Sequence, residues 1–195
     1  MKFSNPLPRN VAALSAGLVF AAALTSLPAA AGAATTPTPA PPPVPCSGPE
    51  WKQLDFWVGE WNATWPASPG TPAGSATNRI EKILGGCVVS ENFEASGASP
   101  LIGKSYSTYS PQLKKWQQTW VDNQSSYIDL VGDFTNPGEP VFTVERPGPN
   151  GKPVKLRMVF KNIQHDSFDW SWERSTDGGK TWTVQWPIRY TRKKA

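Results

Sequence analysis

The chain has 195 residues, with 19 lysines and arginines against 15 acidic residues; loss of Lys2 and Arg9 with a leader leaves a basic surplus of only two. That balance excludes the broad basic footprint of a nucleic-acid binder, and the Arg192-Lys193-Lys194 cluster that carries much of the surplus reads as a solvated end. Two cysteines and one histidine leave too few ligands for a zinc centre, so neither metal nor cofactor is expected.

Residues 1–34 read as a signal peptide. Lys2 and Arg9 precede an apolar run from Val11 to Leu27, and small residues from Ala29 to Ala34 suit a small-x-small cleavage site. The run is marginal for a bilayer span of roughly 20 residues, and an uncleaved anchor is the alternative. Residues 35–49 are proline-rich and read as an extended linker, because proline fixes φ and donates no hydrogen bond. One domain of ordinary size remains over 50–194. It is expected to be exported, periplasmic or secreted, monomeric, and without stable membrane insertion once the signal is removed. In such a compartment Cys46 and Cys87 pair, tying the start of the domain to the third strand. Closing that loop is worth about 3–4 kcal/mol in the chain-entropy model. Two free buried thiols are the alternative.

Beyond residue 56 the apolar period is two. Pro49 to Phe56 is the one stretch that suits a short helix, with Trp51, Leu54 and Phe56 on its apolar side. Ten strands follow: Trp57 to Trp65, Ser75 to Leu84, Cys87 to Ala95, Leu101 to Tyr109, Lys115 to Asp122, Ser125 to Phe134, Pro140 to Arg146, Val154 to Ile163, Asp166 to Arg174 and Thr181 to Arg192. Gly85-Gly86, Asn136-Pro137-Gly138 and Pro147 to Gly151 are turn signals between them. The last strands alternate: Val154, Leu156, Met158 and Phe160 share a face, as do Phe168, Trp170 and Trp172, and Trp182, Val184, Trp186, Ile188 and Tyr190. Polar residues interleave, which predicts one apolar and one wet face. Consecutive short antiparallel strands close best into an up-and-down barrel, which removes the sheet edges; a two-sheet sandwich is the alternative.

Two local patterns carry a structural meaning. Ser175-Thr176-Asp177-Gly178-Gly179-Lys180-Thr181-Trp182 resembles the Asp-box of extracellular β proteins, with Asp177 accepting local N–H groups, Gly179 supplying positive φ and Trp182 locking the hairpin. Gly59-Glu60-Trp61 is similar to the G-x-W of lipocalins. There the tryptophan stands near the barrel floor under an arginine from the last strand, a role the resemblance offers to Arg189 or Arg192. Leu54 to Trp61, Gly85 to Asn92, Trp116 to Asn123 and the Asp-box, in this order, resemble a bacterial family of exported domains of unknown function placed with the calycin-like barrels. The resemblance spans 50–192. It implies an all-β, antiparallel calycin or lipocalin-like barrel of about eight to ten strands around an interior cavity. It transfers no catalytic residue.

The ten tryptophans read first as large core side chains. Some suit a pocket: Trp116 and Trp120 share a face with Gln118 and Asp122, the mixture of apolar area and orienting groups that small-molecule sites use. Glu91 falls on the apolar phase between Val89 and Phe93, so it needs a buried ion partner or a ligand. Tyr106, on the Ile102-Lys104-Tyr106 face, is a further candidate. His165 falls in a turn, which suits neither a haem ligand nor a catalytic triad. The expected function is binding of a small apolar or amphipathic ligand by Glu91, Tyr106, Trp120, Asp122, Trp170 and Trp172. The alternatives are an isomerase or lyase using an interior carboxylate, and a surface carbohydrate or protein binder using exposed tryptophans. A ligand platform across Trp57, Trp61 and Trp65 is set aside, because Trp61 reads better as the barrel floor, with any pocket at the opposite end.

Overall fold

The computed structural model describes residues 45–68, 72–98 and 100–194. The stretches read from the sequence as a signal peptide and, up to Val44, as a linker lie outside the described residues. Two 3-10 turns, Pro49–Lys52 and Asp55–Trp57, form the short N-terminal helix. Ten strands follow: β1 (Gly59–Trp65), β2 (Gly74–Ile83), β3 (Val88–Ala95), β4 (Ile102–Ser110), β5 (Lys115–Asp122), β6 (Tyr127–Asp133), β7 (Val141–Pro147), β8 (Pro153–Gln164), β9 (Ser167–Ser175) and β10 (Thr183–Arg192). Each pairs antiparallel with its neighbours in sequence, and β10 returns to β1, so the sheet closes into a barrel and no sandwich forms. At the closure Trp61 faces Arg192 and Ala63 faces Tyr190.

The floor is built where β1 begins. Trp61 is fully buried, and its Nε1 donates to the Trp57 carbonyl at 2.8 Å. The Arg192 guanidinium lies 4.1 Å over the Trp61 ring, while Nη1 donates to Val58 O and Nε to His165 O. The clamp is therefore Arg192. Arg189, three residues earlier, takes the opposite phase of β10 and pairs on the outer face with Asp169 and Ser167. Trp57 lies in the second 3-10 turn and not in the first strand. The strand starts only after Gly59, whose φ of +139° brings the chain out of the turn. A Cβ at Gly59 would stand 2.1 Å from Arg192 Nη1, so the glycine serves both the backbone and the arginine. Around them Phe168 stacks on Tyr190 (4.4 Å) and meets Trp61 edge-on, and Phe160 meets Trp57.

Cys46 and Cys87 form a disulfide, joining the lead-in of the first 3-10 turn to the start of β3. Such a bond fits an oxidising compartment. No helix of the described residues is long and apolar enough to cross a membrane.

The last strand departs from simple alternation. A bulge between Val184 and Trp186 leaves Val184 exposed and returns Trp186, Ile188 and Tyr190 to the interior. Trp182 precedes the strand and packs outside it, its ring 4.0 Å under the Arg157 guanidinium. That arginine in turn holds Glu173, which is only 3% exposed, through Nε at 2.8 Å and Nη2 at 2.6 Å, and Ser171 donates to the same carboxylate. The outer face of β8 and β9 is thus covered by a buried ion pair, not wet as the alternation predicts. Burial opposes the Glu173 charge, but Ser171 and Arg157 outweigh it and hold the carboxyl below its ordinary range. Within the turn, Asp177 accepts the Lys180 and Thr181 N–H groups at 3.0 Å and the Ser175 hydroxyl at 2.7 Å, and Trp182 Nε1 donates to Gly179 O. The Thr181 hydroxyl and amide chiefly hold the Asp177 carboxyl well below the usual range.

Candidate functional site

The inward face of β4 consists of small residues: Gly103, Ser105 and Ser107 are buried while Lys104 and Tyr106 point out. A Cβ at Gly103 would lie 2.1 Å from Trp120 Cζ2, so that glycine is the seat of the Trp120 ring. Trp120 in turn lines the space that remains above the floor. A cavity of about 180 Å³ opens there, toward the end of the barrel away from Arg192. Its walls are largely aromatic, with Phe93, Trp120, Trp170, Trp172 and Trp186 around its sides and Trp57 in its lining from the floor. Trp170 and Trp186 meet at 85° and Phe93 and Trp186 at 84°, while Trp170 and Trp172, two apart on β9, lie parallel at 11°.

One carboxyl lies inside this space. Glu91 on β3 is 7% exposed and accepts from Asn78 Nδ2 at 2.7 Å on β2 and from Ser105 Oγ at 2.6 Å on β4. Both partners are neutral; the expected buried ion pair is not formed among the described residues. Burial pushes the Glu91 carboxyl above its ordinary value, against the pull of the Ser105 and Asn78 hydrogen bonds. Asn78 Nδ2 also approaches Tyr190 Oη at 3.4 Å, and burial with the nearby Glu91 charge pushes the phenol well above its usual range. Gln118 completes the polar side of the interior, donating to Ser107 Oγ at 3.0 Å.

Asp122 stands at the end of β5 in a different setting. It accepts from Trp120 Nε1 at 2.9 Å and from the backbone N–H groups of Gln124 and Ser126. Burial works against its charge, but these donors outweigh burial and hold it below the usual carboxylate range. Three buried polar atoms have no partner among the described residues: Trp57 Nε1, Trp186 Nε1 and Asn78 Oδ1. Two of the three belong to residues in the cavity wall, where an uncompensated N–H is costly unless something accepts from it.

The structure thus brings Glu91, Trp120, Asp122, Trp170 and Trp172 to one cavity. Tyr106 is not among them. It is 51% exposed on the outer face of β4, because the small residues of that strand take the inward phase. Phe93, Asn78, Ser105 and Trp186 were missed. For Asn78 a signal was present: it breaks the phase of its strand as Glu91 does, falling between Ala76 and Ile80; Ser105 lies on a phase of small residues and gave none. Trp186 was read as one of the apolar face of the last strand, not as a pocket wall. His165 is exposed in the β8–β9 turn beside Asp166, remote from this lining.

The family model described as a protein of unknown function (DUF1579) matches residues 47–192. The chain belongs to this family. No curated protein matches the chain. The matched span begins immediately after Cys46 and ends on Arg192, so for this family the domain includes the whole barrel together with the arginine that closes its floor.

Proposed function

We propose that this domain is an exported binding barrel whose ligand is a compact, largely apolar molecule of about one ring in size. The carrying observation is the aromatic cavity of about 180 Å³ that contains a buried carboxyl with only neutral partners. Its size sets the ligand class: a cavity of about 150 Å³ accommodates benzene, whereas pockets for drug-sized ligands run to roughly 300–1,000 Å³. A whole fatty acid or retinoid is too large for it. Aromatic walls supply the area, Glu91 supplies orientation, and Asp122 marks the open end.

Burial of a carboxyl without an ion partner supports a ligand-facing role for Glu91, since a stability role alone is better served by an apolar side chain. All ten tryptophans are buried or half-buried, which disfavours the surface carbohydrate or protein binder with an exposed aromatic strip. Catalysis by Glu91 is the second reading; its raised proton affinity suits a general acid or base.

The test is titration of tryptophan emission with toluene, indole and phenol, together with thermal shift. Saturable quenching with a rise in Tm is expected, and Leu130→Phe, which fills the cavity from β6, is expected to weaken it. A protein that shows no saturable response to any compact ligand is a filled barrel, and the binding reading fails.

A further inference from the structure

The charges around the cavity narrow the ligand further, resting on the binding reading above. Two carboxyl groups line it, Glu91 within and Asp122 at the end of β5, and among the described residues no lysine, arginine or histidine does. The hydrogen bonds to Asp122 keep it ionised. The faces of aromatic rings carry partial negative charge, and several indoles and Phe93 bound the same space. The described lining of the cavity thus combines two carboxyl groups and aromatic walls with no positive side chain. A ligand acid is repelled by this arrangement. A neutral hydrocarbon fills it but leaves Glu91 without a counter-charge.

We propose that the cavity receives a compact alkylammonium cation, its charged head among Trp120, Trp170, Trp172 and Trp186 with Glu91 as counter-ion. Aromatic boxes attract such heads through the ring quadrupole, most strongly when water is excluded. Walls that meet near right angles, as Trp170 and Phe93 do with Trp186, surround a roughly spherical head better than a flat one. The volume of about 180 Å³ suits a trimethylammonium group with a short arm. The molecule recognised is thus a small quaternary or tertiary amine.

Choline and its uncharged isostere 3,3-dimethylbutan-1-ol, in which carbon replaces nitrogen, separate the charge from the shape. Calorimetry and tryptophan quenching are measured with both on the wild-type protein and on Glu91→Gln, with circular dichroism to verify the fold. Choline is expected to bind about tenfold tighter or more than the alcohol, and Glu91→Gln to remove most of that preference. If the alcohol binds as well as choline, the cation assignment is overturned while the pocket stands. If choline is preferred equally by wild type and Glu91→Gln, the cation does not lie at Glu91 and the assignment is likewise overturned. If neither compound binds, and toluene, indole and phenol are also without effect, the pocket itself is refuted. If only those rings bind, the cavity is apolar and the cation assignment alone falls.

Discussion

The two ends of this barrel are both lined with aromatic rings, yet one is solid and the other is hollow. At the floor, Trp57, Trp61, Phe160, Phe168 and Tyr190 meet edge to face or stacked, and Arg192 closes over Trp61. At the other end rings of the same kind stand around open space. The difference comes from what faces them. The floor is filled from all sides by large side chains, whereas the cavity is bordered on β3 and β5 by Glu91 and Gln118, which Asn78, Ser105 and Ser107 hold by hydrogen bonds. Those side chains are spent on one another in hydrogen bonds and supply little volume. Aromatic content does not distinguish a core from a pocket; the residues across from the rings do.

The largest expected effect tests the floor. Trp61→Ala should cost about 3–5 kcal/mol, since it removes a fully buried ring together with its contact to Arg192. Chemical denaturation measures this, and the residual folded protein should still bind ligand. A Trp61→Ala protein as stable as wild type but unable to bind would reverse the assignment of the two ends.

Next comes the outer face, which neither end uses. Arg157→Met leaves buried Glu173 with only the longer pairing to Lys161, at 3.6 Å, and should cost about 2–4 kcal/mol at neutral pH. The sign with pH follows from the lowered Glu173 carboxyl: its stabilisation is present above the ordinary value of 4.5 and is lost as pH falls through the folded value. The cost of Arg157→Met should therefore shrink below about pH 4. A cost that stays constant with pH would assign it to lost packing on Trp182 instead.

A smaller effect of opposite sign belongs to the hollow end. Glu91 is raised, so the folded protein holds its proton more tightly than the unfolded chain, and stability falls as pH rises from 4.5 toward the folded value. Glu91→Gln keeps the size and can keep the Asn78 and Ser105 contacts. It should gain about 1 kcal/mol or more above that range and nothing near pH 4, read from urea melts across pH. A loss of stability at neutral pH would make Glu91 a structural anchor and erase the contrast between the ends.

The smallest effect is expected at Tyr106→Ala on the outside of β4, within about 0.5 kcal/mol and without change in ligand affinity. A loss of binding there would move the site to the outer surface.

Much of the fold follows from the chain alone. Alternation over ten stretches, with Gly-Gly and Pro-Gly turns between them, specifies ten short antiparallel strands, and the strand bounds agree with the structure to within a few residues at each end. The Asp177 turn is a local hydrogen-bond pattern that needs no distant partner, whereas the floor tryptophan under an arginine followed only from the resemblance of Gly59-Glu60-Trp61 to the lipocalin motif. The strands and that turn are legible because their causes are local: backbone sterics, a period of two, a carboxylate reaching three or four residues along. Glu91 was legible as an anomaly, a charge in the apolar phase.

Its answer was not. Asn78, Ser105 and Tyr190 come to it from three strands, and Tyr190 lies 112 residues from Asn78. Only the register between β1 and β10 chose Arg192 over Arg189. Only closure showed that the phase of β4 carrying glycine and serines faces in, which put Tyr106 outside and seated the Trp120 ring against Gly103. A cavity is a deficit of volume summed around a whole ring of strands. No single strand contains that sum, so the pocket, unlike the barrel around it, was decided by the tertiary structure.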